Sequence, residues 1–228
     1  MTGEQLGKPN LADNPRAEQI RRVAAALFFD HGYEATTTRA IARELGIKSA
    51  SIYYHYEDKE RILFEIIRST MEELLAGARN CVARETRHER QLAALVIHHV
   101  LMHAYRPKET ILGDTELRSL TEPRRESIQA LRDEYEALIV GVLIAGRDAG
   151  SFDLLDEKLT AYAIFAQCTN VGIWYQHGGR LSLDEIAFDY MNFGLRLAGA
   201  AELDTAAVSS LMASERTAHG GEHAVTAE

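Results

Sequence analysis

Apolar residues recur along most of the chain at the three-to-four-residue spacing of helices with one buried face. Helix-stopping residues interrupt this pattern at Arg106-Pro107, at Gly150 and at Gly178-Gly179, and Pro123 stands where a helix would begin. Only four prolines occur in 228 residues, and the chain is therefore predicted to be all-α. The helices predicted beyond residue 57 span residues 58–84, 89–104, 108–120, 122–149, 156–177 and 183–200.

Residues 36–59 contain two short helical patterns joined by a tight turn. Thr38 suits the N-cap of the first pattern, and Gly46 tolerates the positive φ at which that helix must stop. Ser49 suits the N-cap of the second pattern. A helix, a short turn with glycine and a second helix form the helix-turn-helix signature. The inward-facing residues are Ile41, Ala42 and Leu45 in the first pattern and Ile52 and Tyr56 in the second.

The second of these helices carries an outer surface of hydroxyl and aromatic side chains. Such groups hydrogen-bond phosphates and base edges, and aromatic rings pack on thymine methyl groups. This pattern favours a DNA-binding helix. The alternative is an ordinary helical corner whose tyrosines pack half-buried against their neighbours. The residues of this surface are Ser49, Ser51, Tyr53, Tyr54 and His55.

Further motifs accompany the two helices in a fixed order. They are Ala24-Ala25-Ala26-Leu27-Phe28, Gly32-Tyr33-Glu34-Ala35-Thr36-Thr37-Thr38, Ile41-Ala42, Gly46-Ile47, Ser51-Ile52-Tyr53-Tyr54-His55-Tyr56 and Lys59-Glu60. Together they closely resemble the TetR family of bacterial transcriptional regulators. The resemblance implies an all-α fold class, with an N-terminal three-helix helix-turn-helix DNA-binding domain and a C-terminal antiparallel helical domain for ligand binding and dimerisation.

We expect four segments along the chain. Residues 14–60 form the predicted DNA-binding domain, and residues 61–202 form the predicted ligand-binding and dimerisation domain. Residues 203–228 are rich in alanine, serine, threonine, glycine and glutamate without a sustained apolar period, which predicts a flexible tail. Residues 1–13 have a similar character, so a flexible N-terminus is predicted as well.

The resemblance assigns roles to residues by their position in the family motif. Phosphate contacts set orientation, whereas base-edge contacts set sequence preference. Arg39 is the strongest candidate for a specific contact, because a guanidinium bonds guanine O6 and N7 together. The alternative is a surface arginine that is solvated or paired with Glu44. The implied phosphate contacts are Thr38, Ser51, His55 and Lys59, and the implied base-edge contacts are Arg39, Lys48, Ser49, Ala50, Tyr53 and Tyr54.

The formal net charge of −9 is unusual for a DNA-binding protein. The stretch from Lys8 to Arg68 contains ten Lys or Arg against nine Asp or Glu, so it carries +1 and the remainder carries −10. Affinity for DNA would therefore rest on a local cluster of cations and on helix N-termini. The cluster consists of Arg39, Arg43, Lys48 and Lys59.

The last two predicted helices are apolar on more than one face, with small residues among large ones. Either they are central to the subunit or a second subunit covers one side of them. The resemblance favours a homodimer, because TetR regulators pair their last two helices into a four-helix bundle. A two-fold dimer also spaces two reading helices for a palindromic operator.

Motifs in the C-terminal part carry a narrower resemblance. They are Glu116-Leu117-Arg118-Ser119-Leu120, Ala130-Leu131-Arg132-Asp133-Glu134-Tyr135-Glu136, Ile173-Trp174-Tyr175 and Gly178-Gly179-Arg180-Leu181-Ser182. Together they resemble a TetR subgroup in which several members respond to acyl-CoA thioesters from fatty-acid or steroid breakdown. Ile173 and His177 stand where the subgroup usually has a cation and often a proline. An aromatic or aliphatic catabolite without CoA is the alternative effector.

An effector cavity in the helical domain would be mostly apolar with a few convergent polar groups. Plain core packing is the alternative for each candidate residue. His99 and His103 stand four positions apart and could bind a metal with Asp114 or Glu116, but this spacing alone is more typical of packing or pocket-lining histidines, and no metal site is predicted. The candidates for effector binding are His98, His99, Met102, His103, Leu117, Tyr135, Leu138, Phe165, Thr169 and Trp174.

The sequence offers little support for an enzyme. It has no glycine-rich phosphate loop, nucleophile elbow or HExxH motif, so neither catalytic residues nor a cofactor are predicted. One alternative is a metal-dependent hydrolase built on His99 and His103. Another is a helical adaptor that binds only protein, which would leave the hydroxyl and aromatic surface without a partner. Cys81 and Cys168 lack paired metal spacing, so neither a disulfide framework nor a zinc site is expected.

The sequence predicts a cytoplasmic protein with reduced cysteines. It contains neither a signal-peptide pattern nor a stretch of eighteen apolar residues, so membrane association is not expected. Together with the resemblance, these observations predict a dimeric transcriptional repressor. Its expected partners are a palindromic double-stranded DNA operator and a small hydrophobic effector that releases it.

Overall fold

The computed structural model describes residues 14–220. The predicted flexible N-terminus at residues 1–13 and the last eight residues of the flexible tail predicted at 203–228 lie outside this range. The described residues form eleven α-helices and no strand, which confirms the all-α fold class. None of these helices combines the length and the apolar character that a membrane crossing requires. In chain order they are α1 (Pro15–His31), α2 (Thr38–Glu44), α3 (Ser49–His55), α4 (Lys59–Arg84), α5 (His88–Tyr105), α6 (Pro107–Thr115), α7 (Glu122–Asp148), α8 (Glu157–Thr169), α9 (Val171–Trp174), α10 (Leu183–Leu197) and α11 (Thr205–Gly220).

Two of the predicted helices are shorter than expected. The helix predicted at residues 108–120 ends at Thr115 and is followed by a 3₁₀ turn at Leu117–Ser119. The helix predicted at residues 156–177 divides at Asn170 into α8 and α9. The Asn170 side-chain amide donates to Ala166 O at 2.8 Å, and local bonds of this kind compete with a regular helix.

The described chain divides into two compact units. Unit 1 comprises the residues up to Thr70 together with Lys108–Ile128, and unit 2 comprises Met71–Pro107 together with the residues from Gln129 onward. Helices α4 and α7 contribute residues to both units. The division therefore falls within α4, beyond the domain boundary expected at residue 60, and α6 belongs with the N-terminal helices.

Unit 1 is built on α1, α2 and α3. Asn14 caps α1, since its side chain accepts hydrogen bonds from two amides of the first turn, and Pro15 is the first helical residue. The helix ends at Gly32, whose φ of 87° favours glycine. Burial of one face of each helix holds the three together. The residues of this core include Ile20, Ala24, Phe28, Ile41, Ile52 and Tyr56.

Helix α5 is the buried centre of unit 2. Every residue from Leu92 to His103 is buried. Helices α8, α9, α10 and α11 pack against α5. The approach of α10 is close, because a Cβ placed on Gly194 would lie 3.0 Å from a methyl group of Val96 and 3.4 Å from one of Ile164. A helix that is covered all round provides the main hydrophobic contacts of the unit.

The prediction of a flexible tail from residue 203 is wrong for residues 205–220. This segment forms α11, which packs against α5 and α10. Its buried side chains include Leu211 and Met212, but also the polar Glu215 and His219. Because a polar residue does not count toward an apolar period, the buried face of α11 is invisible to a search for hydrophobic spacing.

Replacing Gly77 with alanine should destabilise the protein, because the new Cβ would lie 2.1 Å from Cε1 of His98. Hydrogen bonds to Leu74 O and to His219 hold the His98 ring in place. We expect a loss of about 1–3 kcal/mol in the free energy of unfolding, measured by chemical denaturation. Gly141→Ala in α7 is the control, because a Cβ there meets nothing within 4 Å. Equal stability of the two variants would contradict the packing described.

Candidate nucleic-acid interface and effector site

Helices α2 and α3 form a helix-turn-helix with the predicted glycine turn. Gly46 adopts a φ of 64° between the helices, and the amide of Ile47 donates to a carbonyl of α2 at 2.9 Å. The N-cap of α2 is Thr37, whose side chain accepts from an amide of the first turn, so the prediction of Thr38 as the cap is wrong by one residue. Thr38 instead shares a hydrogen bond of 3.0 Å with the Tyr53 hydroxyl.

Helix α3 is anchored by Ile52 and Tyr56, as the sequence predicts, since their side chains are 0% and 1% exposed. The Tyr56 hydroxyl donates to Ala17 O at 3.1 Å and accepts from Arg21 at 3.4 Å. The prediction of Ser49 as an N-cap is wrong, because Ser49 is already the first residue of α3 and the preceding cap side chain makes no capping bond. The orientation of α3 therefore depends on its buried anchors.

The outer face of α2 and α3 carries most of the predicted DNA contacts. Tyr53 and Tyr54 are 54% and 67% exposed. The bond between the Tyr53 hydroxyl and Thr38 fixes the position of an exposed ring. Adjacent exposed tyrosines can pack on bases and hydrogen-bond phosphates. Among the predicted contacts, Arg39, Lys48, Ala50, Ser51, Tyr53 and Tyr54 are exposed and Ser49 is half-buried.

Three cations on this part of unit 1 are available to a phosphate. Within residues 14–220, Arg39, Arg43 and Lys48 are exposed and form no salt bridge. The paired alternative, Arg39 with Glu44, is therefore absent from the described structure. An exposed cation without a protein partner keeps its attraction for the DNA backbone.

Lys59, predicted to contact phosphate, is bound to unit 1 itself. Its Nζ donates to Tyr33 O at 2.8 Å and to Glu34 O at 3.4 Å, and lies 4.1 Å from the centre of the Tyr33 ring. These contacts fasten the loop between α1 and α2 to the start of α4. A phosphate would have to compete with two carbonyl groups for this ammonium.

Two other predicted phosphate contacts are partly enclosed. Thr38 is buried, and its hydroxyl is engaged with Tyr53. His55 is half-buried at the end of α3. Burial, followed by the charge of Arg16, lowers the pKa of His55. A neutral imidazole contributes less attraction for phosphate than the cation would.

A second group of predicted residues meets around His99 in unit 2. Its Nδ1 lies 2.7 Å from the Tyr135 hydroxyl, and its Nε2 lies 3.0 Å from Thr169 Oγ1. Since Thr169 Oγ1 donates to Phe165 O, it accepts from His99 Nε2–H, and Nδ1 accepts from Tyr135. The Phe165 ring packs edge-on against His99 at 5.0 Å. Burial, with a smaller contribution from His103, lowers the pKa of His99 well below its ordinary value, so the cluster is neutral.

His99 and His103 are not arranged as a metal site. Their rings stack with centroids 4.2 Å apart, and His103 Nδ1 bonds to His99 O at 2.9 Å. Both ring nitrogens of His99 are already engaged by Tyr135 and Thr169. Stacked rings do not direct their nitrogen lone pairs at one point, so this geometry does not support the hydrolase alternative, and the two histidines belong to a buried polar cluster.

The remaining predicted effector residues lie outside this cluster. His98 bonds to groups of α4 and α11. Met102 and Leu138 pack in the core of unit 2, and Leu117 is half-buried in unit 1. Trp174 is 47% exposed and lies near the ring of another aromatic residue. Consecutive helical residues point in directions about 100° apart, so His98 and His99 cannot share one site.

A cavity of about 240 Å³ lies beside Trp174 in unit 2. The sequence motif at residues 178–182 drew attention to this region, but of the residues predicted to bind an effector only Trp174 lines the cavity. Arg180 places a cation there that residue spacing did not reveal. The lining includes Trp174, Tyr175, Arg180, Leu181 and Ile186.

The helix-turn-helix and the helical second unit define a DNA-binding transcriptional regulator. Residues 20–66 match the family model of bacterial regulatory proteins of the tetR family, and residues 85–198 match the model of the tetracyclin repressor-like C-terminal domain. The chain belongs to the TetR family. Members of this family are non-enzymatic DNA-binding transcription factors. The protein is therefore a transcription factor, and the hydrolase and adaptor alternatives are not supported.

Relatives narrow the class to TetR-type transcriptional repressors. The transcriptional repressor KstR2 of Rhodococcus jostii strain RHA1 is 31% identical over 182 residues, which cover 79% of this chain and 89% of KstR2. The structure of the ketosteroid transcriptional regulator KstR2 of Mycobacterium tuberculosis matches at 27% identity with a TM-score of 0.75, covering 83% of this chain and 97% of that chain. AibR, solved with isovaleryl coenzyme A and operator DNA, shares the fold at 24% identity with a TM-score of 0.72, covering 81% and 98%.

Replacing Lys59 with methionine should lower the free energy of unfolding by about 1 kcal/mol, because the Nζ bonds to Tyr33 O and Glu34 O are lost. Lys48→Met is the control, since Lys48 is exposed and should change stability by less than about 0.5 kcal/mol. Chemical denaturation measures both. If Lys59→Met left stability unchanged and weakened only DNA binding, the internal role of Lys59 would be refuted.

Proposed function

We propose that the protein is a homodimeric repressor that binds a palindromic DNA operator and is released by a small hydrophobic effector. The observation that supports DNA binding is the exposure of Arg39, Tyr53 and Tyr54 on two helices whose inner side chains are buried in the core of unit 1. Fixed helices with exposed polar side chains suit major-groove recognition. This partner and the free cysteines Cys81 and Cys168 are consistent with a cytoplasmic location.

In this proposal α3 enters the major groove. Arg39, Tyr53 and Tyr54, together with Lys48, Ser49 and Ala50, read base edges. Ser51 contacts phosphate, while Thr38, His55 and Lys59 combine phosphate contacts with roles inside the motif. Because the chain carries a net charge of −9, one motif gives weak attraction for DNA, and two motifs on one dimer are needed for a stable complex.

A second copy of the chain would cover the outer faces of α8 and α10. These two helices pack against each other, so their exposed side chains can form one surface. Monomers rarely leave a large contiguous apolar patch exposed to water. A two-fold axis would bring the two copies of this surface together as a four-helix interface. The exposed fractions are 67% for Leu159, 47% for Tyr162, 43% for Phe188, 42% for Phe193 and 48% for Leu197.

The cluster around His99 is our candidate for effector recognition. It combines apolar surroundings with the neutral imidazole of His99 and the hydroxyl groups of Tyr135 and Thr169. The donors of all three groups are used inside the protein, so an uncharged polar group of a hydrophobic ligand, such as a thioester carbonyl, would replace one of these bonds, for example by accepting from the Tyr135 hydroxyl. The likeness to AibR, solved with isovaleryl coenzyme A, supports an acyl-CoA, and the likeness to KstR2, a ketosteroid regulator, supports a hydrophobic effector. Arg180 offers a cation for the phosphates of CoA. An aromatic or aliphatic catabolite without CoA is the second candidate, and it would leave Arg180 without a role.

Release from DNA requires that effector and operator favour different conformations. Helices α4 and α7 both contribute residues to both units, and α4 begins at Lys59, shortly after the reading helix α3. An effector that displaces α4 would therefore change the spacing of the reading helices. The extent of release is limited by the difference in effector affinity between the two conformations. A ligand with equal affinity for both would bind without effect.

Arg39→Ala should weaken binding to an operator selected from random DNA duplexes by about 1–3 kcal/mol and relax the base preference at one position of each half-site. Fluorescence anisotropy measures the affinity. Arg118→Ala is the control, because Arg118 is an exposed arginine of unit 1 outside α2 and α3. Equal affinities of the two variants for the operator would refute the base contact.

Leu159→Glu and Phe193→Glu should convert the dimer to a monomer, because each places a charge in the proposed apolar interface. Size-exclusion chromatography with light scattering gives the mass. Phe29→Glu is the control, since Phe29 is 42% exposed on α1 and should leave the mass unchanged. A dimer that withstands both interface substitutions would place the interface elsewhere.

A further inference from the structure

A buried cluster of four side chains lies among α4, α5 and α11 in unit 2, outside the surfaces described above. Cys81 Sγ lies 3.5 Å from Glu215 Oε1, and His98 Nδ1 lies 3.7 Å from Glu215 Oε2. His98 Nδ1 also lies 3.0 Å from His219 Nε2. All four side chains are buried, and Cys81, His98 and Glu215 each offer one ligand atom within 4.8 Å of the others.

The four donor groups match the ligands that zinc takes in proteins. Thiolate, imidazole and carboxylate bind Zn²⁺ tetrahedrally, with Zn–N of about 2.0–2.1 Å and Zn–S of about 2.3 Å, which places neighbouring ligand atoms about 3.3–3.7 Å apart. Three separations in the cluster, 3.0, 3.5 and 3.7 Å, are close to this range, whereas only Cys81, His98 and Glu215 have ligand atoms that all lie within 4.8 Å of one another. Small shifts would therefore be enough for Cys81, His98 and Glu215 to accept the ion, and the His219 ring would have to move further toward them to complete the tetrahedron.

The hydrogen bonding of His98 prepares its ring for a metal. His98 Nε2 lies 3.1 Å from Leu74 O, and since a carbonyl only accepts, Nε2 carries the proton. The lone pair on Nδ1 then accepts from His219 Nε2–H, so a metal bound between the two rings would require His219 to carry its proton on Nδ1 instead. Metal-binding histidines commonly donate their other ring N–H to a carbonyl or carboxylate, which fixes the tautomer in the same way.

Glu215 can bind a metal cation with one carboxylate oxygen while the other oxygen stays paired with an arginine. Arg84 pairs with Glu215 Oε1, whereas Oε2 is the oxygen that faces His98. Arg84 can therefore keep its carboxylate oxygen while the other oxygen binds a metal. The competing interpretation is a hydrogen-bonded cluster in which Arg84 is the cation that balances Glu215.

We propose that Cys81, His98, Glu215 and His219 bind one Zn²⁺ ion per chain and that this ion fastens α11 to α4 and α5. On binding, the Cys81 thiol releases its proton to solvent and its sulfur forms the bond to zinc, without oxidation or reduction. Two of the four ligands come from α11, which lies beyond the residues that match the family's C-terminal domain. The site shares no residue with the proposed effector cluster around His99.

Metal titration of the untagged full-length protein tests the proposal, after any bound metal has been removed with a chelator. We expect one equivalent of Zn²⁺ per chain, and Co²⁺ in the same site should give a thiolate-to-metal charge-transfer absorption. Cys81→Ser should abolish this absorption, whereas Cys168→Ser, which removes the other free buried cysteine, should retain it. His219→Gln should weaken Zn²⁺ binding by at least about tenfold.

Thermal unfolding provides an independent measurement. Zn²⁺ should raise the Tm of the native protein and of Cys168→Ser by similar amounts and that of His219→Gln by less, because the stabilisation by a ligand falls as its affinity falls. Circular dichroism verifies that each variant folds. If Cys81→Ser does not fold, His219→Gln decides the question, because His219 lies in the last turn of α11. The absence of stoichiometric binding, or binding that Cys81→Ser and His219→Gln leave unchanged, would overturn the proposal.

Discussion

The burial of α5 on all sides is the constraint on which unit 2 depends. Its apolar side chains are buried beneath α8, α9, α10 and α11, but His98, His99 and His103 are buried with them. A buried polar group without a partner is costly, so each histidine must find hydrogen bonds inside the protein. His98 finds its partners on α4 and α11, and His99 finds them on α7 and α8. The same requirement therefore positions four other helices and creates two separate polar clusters, the proposed effector site and the proposed metal site.

Unit 1 is subject to a different constraint. It must hold the short helix α3 rigidly while the outward-facing side chains of α3 remain exposed. Helix α3 has only 7 residues, and an isolated helix of this length is unstable in water. Ile52 and Tyr56 bind it to the core, and the Tyr56 hydroxyl is bonded to α1. The bond between Thr38 and Tyr53 extends this support to an exposed ring. The surface proposed to read DNA is thus fixed before DNA binds, which lowers the entropy cost of recognition.

The sequence predicted the helix-turn-helix and most helices correctly, because apolar spacing and Gly46 report directly on local structure. The sequence-based prediction misplaced the N-cap of α2 by one residue. Thr37 and Thr38 have identical side chains, so local sequence rules do not distinguish them. It missed α11, whose buried face includes Glu215 and His219. The meeting of Cys81 with Glu215 joins positions 134 residues apart, which no local spacing encodes. The spacing of apolar residues likewise indicates that His98 and His99 lie inside the protein, but it does not reveal which helix each histidine faces.

The most direct test of the central claim is the affinity of the dimer for its selected operator, measured by fluorescence anisotropy with and without an acyl-CoA. The matching free acid and free CoA at the same concentration serve as controls. We predict that a hydrophobic acyl-CoA weakens operator binding by about 5-fold or more, in line with typical coupling between two sites, and that neither control does so alone. An acyl-CoA that binds the protein tightly and leaves operator affinity unchanged would contradict the account.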